Sequence, residues 1–283
     1  MSFDLQTLLG GLYLGALYGT AAVGFQVVLG SSGRVHLAYG HMWIAWALLL
    51  SSVHVVGSVP LPAVLPVMVA AGWFVGWFLH PVVLWRGPLS NERATSFFLI
   101  TLGAALVIED AGSRLWPLPG TAMAWAPEPF VLAGVTLPRA KLALMGAALI
   151  TSLGVHLFLK RNRWGMALRA WDRGRAPVYL AGVSPESLGR RAAGLGFALS
   201  ALAGGFLALS YTVSIREGMA MTVRALVLAV LGGTLSPLGV LGLGMGMGVG
   251  EAFVGQVLGM RWGPAVGYGL LLFLLPVLER RRT

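Results

Sequence analysis

The ionisable side chains that lie inside apolar stretches are the first places to look for chemistry in this chain. Glu251 falls in the glycine-rich stretch 240–258, and a carboxylate in a bilayer costs several kcal/mol unless it is paired or hydrated. Two interpretations follow. Glu251 is a pathway or gating residue for a polar substrate, or it is tied structurally to a glutamine, an arginine or the backbone. The sequence leaves both open.

Two histidines, His36 and His41, flank Tyr39 and Gly40 at the beginning of a second apolar stretch. Five positions apart on one helix, their side chains would point about 140° apart, so they would not converge on one metal ion. We therefore expect structural hydrogen bonding or pore lining from these histidines, and no metal site.

The sequence contains no motif for nucleotide binding or hydrolysis. Its two lysines, Lys141 and Lys160, do not stand in a Gly-x-x-x-x-Gly-Lys-[Ser/Thr] loop, so the chain is not expected to bind ATP in that way. It has no cysteine, which excludes thiolate chemistry. Glu109 and Asp110 close an apolar stretch and are expected to form a solvated helix end. No cofactor is expected.

Composition places the chain among membrane proteins. Hydrophobic residues make up 57% and charged residues 11% of its 283 residues, with a mean hydropathy of +0.80, whereas soluble domains carry about 25% charged residues. We predict an all-α, polytopic integral membrane protein: one domain, 1–283, with about eight transmembrane helices, some of them broken or re-entrant. The net charge of +10 is assigned to span ends and cytoplasmic loops, not to nucleic-acid binding.

A span needs about 20 mainly apolar residues. The predicted spans are 5–29, 35–56, 61–85, 95–111, 140–159, 192–214, a broken segment at 223–258, and 264–278.

One basic segment, 160–191, sets the expected orientation. Its eight basic residues, of twenty in the chain, are Lys160, Arg161, Arg163, Arg169, Arg173, Arg175, Arg190 and Arg191. Basic loops between spans stay in the cytoplasm, so this loop and the C-terminus are predicted inside and the N-terminus outside. The loop is predicted to contain a short helix at about 166–180, stopped by Gly182, that docks on a partner.

Two glycine- and serine-rich stretches, 30–34 and 232–239, interrupt the apolar pattern. The breaking residues of the second include Gly232, Gly233, Ser236 and Pro237. Such residues break helices, and broken backbone at membrane depth is tolerated only where protein or a water-filled cavity covers it. Because each interruption follows the first long span of its half, the pattern suggests an internal duplication of a transporter.

Three stretches are similar to motifs of one known family. The run 33–41 is similar to a Gly-x-Ile-Asn-Phe-Ala-His-Gly-Glu stretch, 169–183 to a cytoplasmic coupling loop, and 229–252 to a Leu-Gly-Gly-x-Gly-Ser-x-Pro-Gly and Ala-Glu-Ala pair. In order and spacing the chain resembles the permease subunits of ABC importers for branched-chain amino acids, the hydrophobic amino-acid uptake class, whose relatives include urea and short-amide permeases.

The resemblance implies a non-enzymatic permease subunit of a bacterial inner-membrane importer, paired with a second permease subunit as a homo- or heterodimer. Two cytoplasmic ATP-binding subunits would drive it, and a periplasmic binding protein would deliver the substrate. The residues carried over to the substrate pathway are His36, Tyr39, Gly40, His41, Gly232, Gly233, Ser236, Pro237 and Glu251. Those carried over to ATPase coupling are Arg169, Asp172, Arg173, Leu180, Ala181 and Gly182.

The chain departs from the family pattern at a few positions. His41 stands where the family usually has Glu, and Leu235 where it usually has Gly. Arg175 and Pro177 replace residues that are usually Glu or Ala. These departures bear on the substrate and on the preferred ATPase subunit more than on the family.

Three other classes fit less of the sequence. A self-contained secondary transporter needs coupling-ion ligands within the spans, and the chain has few carboxylates there. A membrane-embedded enzyme with His36 or His41 as its base lacks a partner carboxylate or nucleophile. A scaffold subunit would explain the docking loop, but neither Glu251 nor the two interruptions.

Overall fold

A computed structural model describes residues 5–57, 61–80, 91–118, 130–132, 135–173, 182–232 and 236–269. The helices in these ranges are α1 Leu5–Ser32, α2 Tyr39–Gly57, α3 Leu61–Leu79, α4 Asn91–Leu115, α5 Arg139–Arg161, α6 Arg163–Arg173, α7 Pro185–Ala208, α8 Gly218–Leu231 and α9 Pro237–Leu258. Single 3-10 turns occur at Ile215–Glu217 and Met260–Trp262, and residues 265–269 are helical.

The all-α prediction for a polytopic membrane protein is confirmed. Within the described ranges, five helices are long and apolar enough to cross a membrane: α1, the Thr95–Leu115 part of α4, α5, α7 and α9. Helix α3 adds a shorter apolar helix over Ala63–Leu79. The total number of crossings stays a prediction. An unpredicted antiparallel hairpin, β1 (Phe130–Leu132) with β2 (Val135–Leu137), lies between α4 and α5.

Helix α1 lies at the centre and packs backbone to backbone on α9. Gly11, Gly15 and Gly19 recur every fourth residue, which places them on one face of α1. This face meets Gly244 and Gly248 of α9. A Cβ atom on Gly11 would lie 2.8 Å from the Gly248 carbonyl oxygen, so no larger residue fits. Small residues at such spacing let transmembrane helices approach closely.

The opposite side of α1 packs on α7, which runs antiparallel to it. Gly24 approaches Gly196, because a Cβ on Gly24 would lie 2.7 Å from the Gly196 oxygen. About one turn further along α1, Val27 packs in a hydrophobic cluster that includes Leu188 of α7. Helix α3 covers the other face of α7, where a Cβ on Gly72 would lie 2.7 Å from the Phe197 oxygen. The core is thus a stack of glycine-mediated helix contacts around α1 and α7.

The first interruption is longer than the 30–34 break that the sequence predicts. Helix α1 continues to Ser32, and α2 begins only at Tyr39, not at residue 35. The Tyr39 ring packs edge-on against Phe25, with ring centroids 4.9 Å apart, and its hydroxyl lies 3.1 Å from the Ala21 oxygen. The segment 33–38 therefore doubles back along α1 before α2 starts, as a re-entrant connection does.

A second re-entrant connection follows α7, at a place the sequence did not indicate. The predicted span 192–214 is wrong at both ends, because α7 begins at Pro185 and ends at Ala208. Ser184 precedes Pro185 as the N-cap residue, a pairing that favours helix initiation. Segment 209–217 then runs from Tyr211, stacked on Tyr13 near the beginning of α1, to Gly218, where α8 begins.

The predicted break at 232–239 is also present. Helix α8 ends at Leu231 and α9 starts at Pro237, with residues 233–235 outside the described ranges. Each half of the chain thus has an interruption after its first long helix. In the second half, however, the interruption that follows the first long helix is 209–217, whereas 232–239 follows α8. The internal duplication itself stays a prediction.

Candidate transport pathway and coupling surface

The two re-entrant connections meet where α2 and α8 begin. The Gly40 N–H donates to Thr222 Oγ1 at 2.9 Å, and the Thr222 hydroxyl lies 2.9 Å from the Leu37 oxygen and 3.0 Å from the Gly218 oxygen. A Cβ on Gly40 would overlap the Gly218 oxygen, so only glycine permits this approach. One hydroxyl therefore joins two interrupted segments that lie 182 positions apart.

Tyr39 anchors the start of α2 and does not line an open substrate path. Its side chain is fully buried. The hydroxyl is within donating distance of two carbonyl oxygens, Ala21 on α1 and Gly196 on α7, at 3.1 and 3.0 Å. It thereby ties the beginning of α2 to both central helices.

The two histidines occupy different environments, and the helical geometry assumed for them is wrong, because His36 precedes α2. The His36 ring is buried between Phe97 and Phe197, with ring centroids 6.3 and 5.5 Å away. His41 is fully buried in the first turn of α2, and its Nε2 lies 3.1 Å from Glu109 Oε2 on α4. Among the described residues, no group of three or more acidic or histidine side chains is arranged to hold a metal ion.

The expectation for Glu109 and Asp110 is half right. Asp110 is exposed and pairs with Arg114 one turn later, at 3.0 Å, as a solvated helix end does. Glu109 instead turns towards the buried His41 and is only 35% exposed. The helix also extends to Leu115 rather than residue 111. An acidic side chain of α4 therefore lies beside His41 at the start of α2.

The glycine–serine break between α8 and α9 is organised by side chains on both sides. Gln26 of α1 donates from Nε2 to the Gly232 oxygen at 2.9 Å, which satisfies a carbonyl at the end of α8. Ser236 caps α9 by accepting a hydrogen bond from the Gly239 N–H at 3.3 Å, and Pro237 takes the first helical position. Both choices favour helix initiation. Gly233 lies outside the described residues.

Glu251 accepts hydrogen bonds from two side chains, and the sequence did not indicate which residues these partners would be. Its Oε1 accepts from Arg224 Nε at 2.9 Å, and its Oε2 accepts from the Tyr18 hydroxyl at 3.0 Å. The side chains of Arg224 and Glu251 are only 10% and 6% exposed. The structure therefore contains the arginine tie that the structural interpretation of Glu251 requires. An arginine inside the apolar segment 223–258 is the signal that would have singled out Arg224.

The coupling helix predicted at about 166–180 begins earlier than expected, and its described part ends at Arg173. Helix α6 covers Arg163–Arg173, and residues 174–181 lie outside the described ranges, as do the side chains of Asp172 and Arg173. Leu180 and Ala181 of the predicted coupling surface therefore carry no structural description. Gly182 has φ +70°, a conformation that favours glycine and suits the stop that the sequence predicts.

Helix α6 is clamped to the ends of α1 and α7. Trp171 is buried and donates from Nε1 to the Ser31 oxygen of α1 at 2.9 Å. Leu168 packs in the same cluster as Leu188 of α7. The guanidinium of Arg191 lies 3.3 Å from the centre of the Trp164 ring. The apolar face of α6 is therefore used within the chain.

The outward face of α6 carries Arg163, Met166 and Arg169, which are exposed and follow at intervals of three residues. Residues at this spacing share one helix face. Met166 is 46% exposed, an apolar side chain between two cations. Arg169 also donates to the Lys160 oxygen at 3.4 Å, which orients it along α5. This face is the candidate coupling surface.

These features define a polytopic membrane protein with interrupted helices around a buried polar centre and an anchored surface helix, the arrangement of a transport subunit. A family profile described as the permease component of branched-chain amino acid transport systems matches residues 7–275. The chain belongs to this family, and the resemblance found in its sequence is confirmed.

Several characterised relatives cover almost the whole chain. The high-affinity branched-chain amino acid transport system permease protein BraD of Pseudomonas aeruginosa is 27% identical over 96% of this chain and 92% of its own length. The LivH permease proteins of Escherichia coli K12 and Salmonella typhimurium, from systems of the same description, are each 24% identical over 98% of this chain and 94% of their own length. No solved structure matches the chain.

Proposed function

We propose that this chain is the membrane-spanning permease subunit of an ATP-driven importer for branched-chain amino acids or related small amino acids and amides. It pairs with a second permease subunit, and two cytoplasmic ATP-binding subunits supply the energy. A periplasmic binding protein delivers the substrate to a bacterial inner membrane. The family membership and the full-length similarity to BraD and LivH support this proposal.

The observation that carries the proposal is the attachment of α6. A short helix that buries its apolar face on α1 and α7 but exposes Arg163, Met166 and Arg169 is suited to meet another protein. The Trp171–Ser31 hydrogen bond joins α6 to the end of α1. Displacement of α6 by an ATPase subunit therefore moves the central helix.

In this mechanism the substrate passes the region where the interrupted helices meet. Movement of α1 is transmitted to the break after α8 by the hydrogen bond from Gln26 to Gly232. It is transmitted to Glu251 by the hydrogen bond from Tyr18. His36, Tyr39, Gly40 and His41 hold the start of α2 beside this route, while Ser236 and Pro237 hold the start of α9. The re-entrant backbone supplies polar groups at depth where protein or a filled path covers them.

Charge reversal on α6 tests the coupling. The importer is purified through a tag on this chain, and substrate-stimulated ATP hydrolysis is measured with the binding protein present. Met166→Glu combined with Arg169→Glu is expected to remove the ATP-binding subunits from the purified complex, or to reduce stimulated hydrolysis at least about tenfold. The matched control is Arg114→Glu, an exposed arginine at the far end of α4, which should behave as the wild type. Normal stimulated hydrolysis in the double variant would refute the assignment of α6.

A further inference from the structure

Arg224, the cation beside Glu251, has more hydrogen-bond donors than the ion pair uses. A guanidinium offers five N–H groups, and Arg224 commits Nε to Glu251 Oε1 at 2.9 Å. Among the described residues, neither of its Nη groups has a hydrogen-bond acceptor. The four remaining N–H donors keep access to solvent, although the side chain as a whole is only 10% exposed. They are therefore available to an incoming acceptor.

Glu251 is a poor partner for an incoming cation. Each of its oxygens already accepts a hydrogen bond, one from Arg224 and the other from the Tyr18 hydroxyl at 3.0 Å, and the Arg224 cation already balances its charge. A substrate ammonium would also have to reach a carboxylate that is only 6% exposed. The free recognition capacity of this site is therefore for an anion or a carbonyl, and it belongs to Arg224.

The guanidinium is held in a fixed orientation. Its Cζ lies 5.2 Å from the centre of the Tyr18 ring, and that ring packs edge-on against Trp43 with centroids 6.3 Å apart. The bond from Nε to Glu251 fixes the plane of the fork. A planar, oriented fork matches the two oxygens of a carboxylate.

Arg224 faces the side of α8 that carries the buried carboxylate. Two positions before it, Thr222 points to the opposite face of α8, where its hydroxyl joins the beginnings of α2 and α8, whereas Arg224 faces Tyr18 of α1 and Glu251 of α9. Residue 267 borders the other side, because a Cβ on Gly267 would lie 3.8 Å from Arg224 Cγ and 3.9 Å from Glu251 Oε1. The fork therefore lies beside Glu251, the buried carboxylate assigned to the proposed route.

We propose that Arg224 recognises the α-carboxylate of the transported amino acid through its two Nη groups, with Glu251 and Tyr18 as positioning residues. This inference rests on the proposed function, because it assumes that the cargo is an amino acid. It reverses the simplest ionic expectation for the site, in which Glu251 binds the substrate ammonium. The site is selective for a carboxylate over a neutral amide, since only the carboxylate pairs with both Nη groups as an anion.

The test compares uptake of L-leucine with uptake of L-leucinamide, which replaces the carboxylate by a neutral amide and keeps the rest of the molecule. The complete importer, with its ATP-binding subunits and binding protein, is reconstituted in proteoliposomes. The same binding protein is used throughout, so its own preference cancels when the leucine-to-leucinamide ratio is compared between variants. Arg224→Gln is expected to lower this ratio at least about tenfold.

Arg224→Lys keeps the charge but loses the fork, so its ratio is expected to fall between those of Arg224→Gln and the wild type. The control is Arg114→Gln, an exposed arginine that pairs with Asp110 near the end of α4, whose ratio should equal that of the wild type. If Arg224→Gln leaves the leucine-to-leucinamide ratio unchanged, the inference is wrong, whatever the absolute rate of uptake. Failure of both Arg224 variants to assemble would also overturn it, because the residue would then be structural.

The same measurement separates this inference from the function on which it rests. If the wild-type importer takes up none of leucine, isoleucine and valine, the proposed substrate class is wrong. If the wild type takes up leucine and the ratio does not change in the Arg224 variants, only the recognition role is wrong.

Discussion

A buried ion pair persists only while each charge keeps its partner. Arg224 and Glu251 come from α8 and α9, and Tyr18 of α1 completes the set, so three helices must be in place for the pair to form. The desolvation cost of such a pair is large, and removing one member leaves an uncompensated charge. The pair therefore reports on the packing of these helices as well as on the route beside them.

Truncation of Glu251 should destabilise the assembled importer more than truncation of an exposed carboxylate. Glu251→Ala strands the Arg224 charge and is expected to cost about 3–5 kcal/mol, whereas Glu251→Gln costs less because its amide oxygen still accepts from Nε. The control is Asp110→Ala, which removes the exposed pair with Arg114 and should cost about 0–1 kcal/mol. Thermal unfolding of the purified complex gives the ranking, and equal midpoints for the Glu251 and Asp110 alanine variants would contradict it.

Much of the chemistry of single residues was predictable, but the pairings were not. A carboxylate in an apolar stretch marks Glu251 from sequence, and an arginine is one of the partners that such a position requires. Nothing local says which arginine, because Arg224 lies 27 positions away on another helix. His41 and Glu109 lie 68 positions apart, so their contact depends on how α2 crosses α4.

At the scale of helices, the glycines of α1 and α9 set the distance at which Tyr18 and Glu251 meet. The α9 glycines are not equivalent. Gly244 faces Gly15 and Gly19 across the helix crossing, whereas a Cβ on Gly246 would meet nothing within 4 Å. Two glycines of the same helix, two positions apart, therefore offer a matched comparison.

Gly244→Leu should disrupt the α1–α9 crossing, and Gly246→Leu should not. A leucine at 244 must push apart two backbones already in contact, an overpacking that is expected to cost about 1–3 kcal/mol or more. Thermal unfolding of the two variants and the yield of assembled complex measure the difference. Indistinguishable behaviour of the two leucine variants would show that the close approach of α1 and α9 is wrong.

The ends of the helices show what hydropathy misses. Apolar runs predict where the chain is buried, and α1, α5 and α9 follow them closely. They do not distinguish a helix from a buried non-helical segment, so 35–38 was assigned to a span and the break at 209–217 was not recognised. For α7, the basic pair Arg190 and Arg191 suggested a loop, although Ser184 and Pro185 already mark a helix start.

At the scale of the whole molecule, the positive charges are the evidence for orientation. The basic residues of α6 and of the start of α7 fall at one end of the bundle, where α6 meets the end of α1. The positive-inside rule predicts that this end is cytoplasmic. Leu118, just after α4, is then predicted to lie outside, and it is 77% exposed.

Single-cysteine labelling tests the orientation directly, because the chain has no cysteine of its own. In intact cells a membrane-impermeant maleimide is expected to label Leu118→Cys and to leave Ser184→Cys unlabelled. Both positions are exposed, so both should react after the membrane is permeabilised, which controls for accessibility. Labelling of Ser184→Cys from outside would invert the topology and place α6 away from any cytoplasmic ATPase.

The class of the molecule could be predicted from composition, and its family from three motifs in order. The packing around α1 could not be predicted, because it depends on glycines that also occur where nothing touches them. Gly15 lies in the α1–α9 crossing, whereas Gly10, five positions earlier, has open space around it. Only the three-dimensional arrangement tells such residues apart.

Uptake of L-leucine into proteoliposomes is the direct test of ATP-driven import through this chain. The vesicles contain this chain, its partner permease subunit and the two ATP-binding subunits, with ATP on the cytoplasmic side and the binding protein on the other. Accumulation is predicted to require both ATP hydrolysis and the binding protein, and to stop when either is omitted. Leucine accumulation by this chain alone, driven by an ion gradient without ATP or the ATP-binding subunits, would contradict the account and identify a secondary transporter.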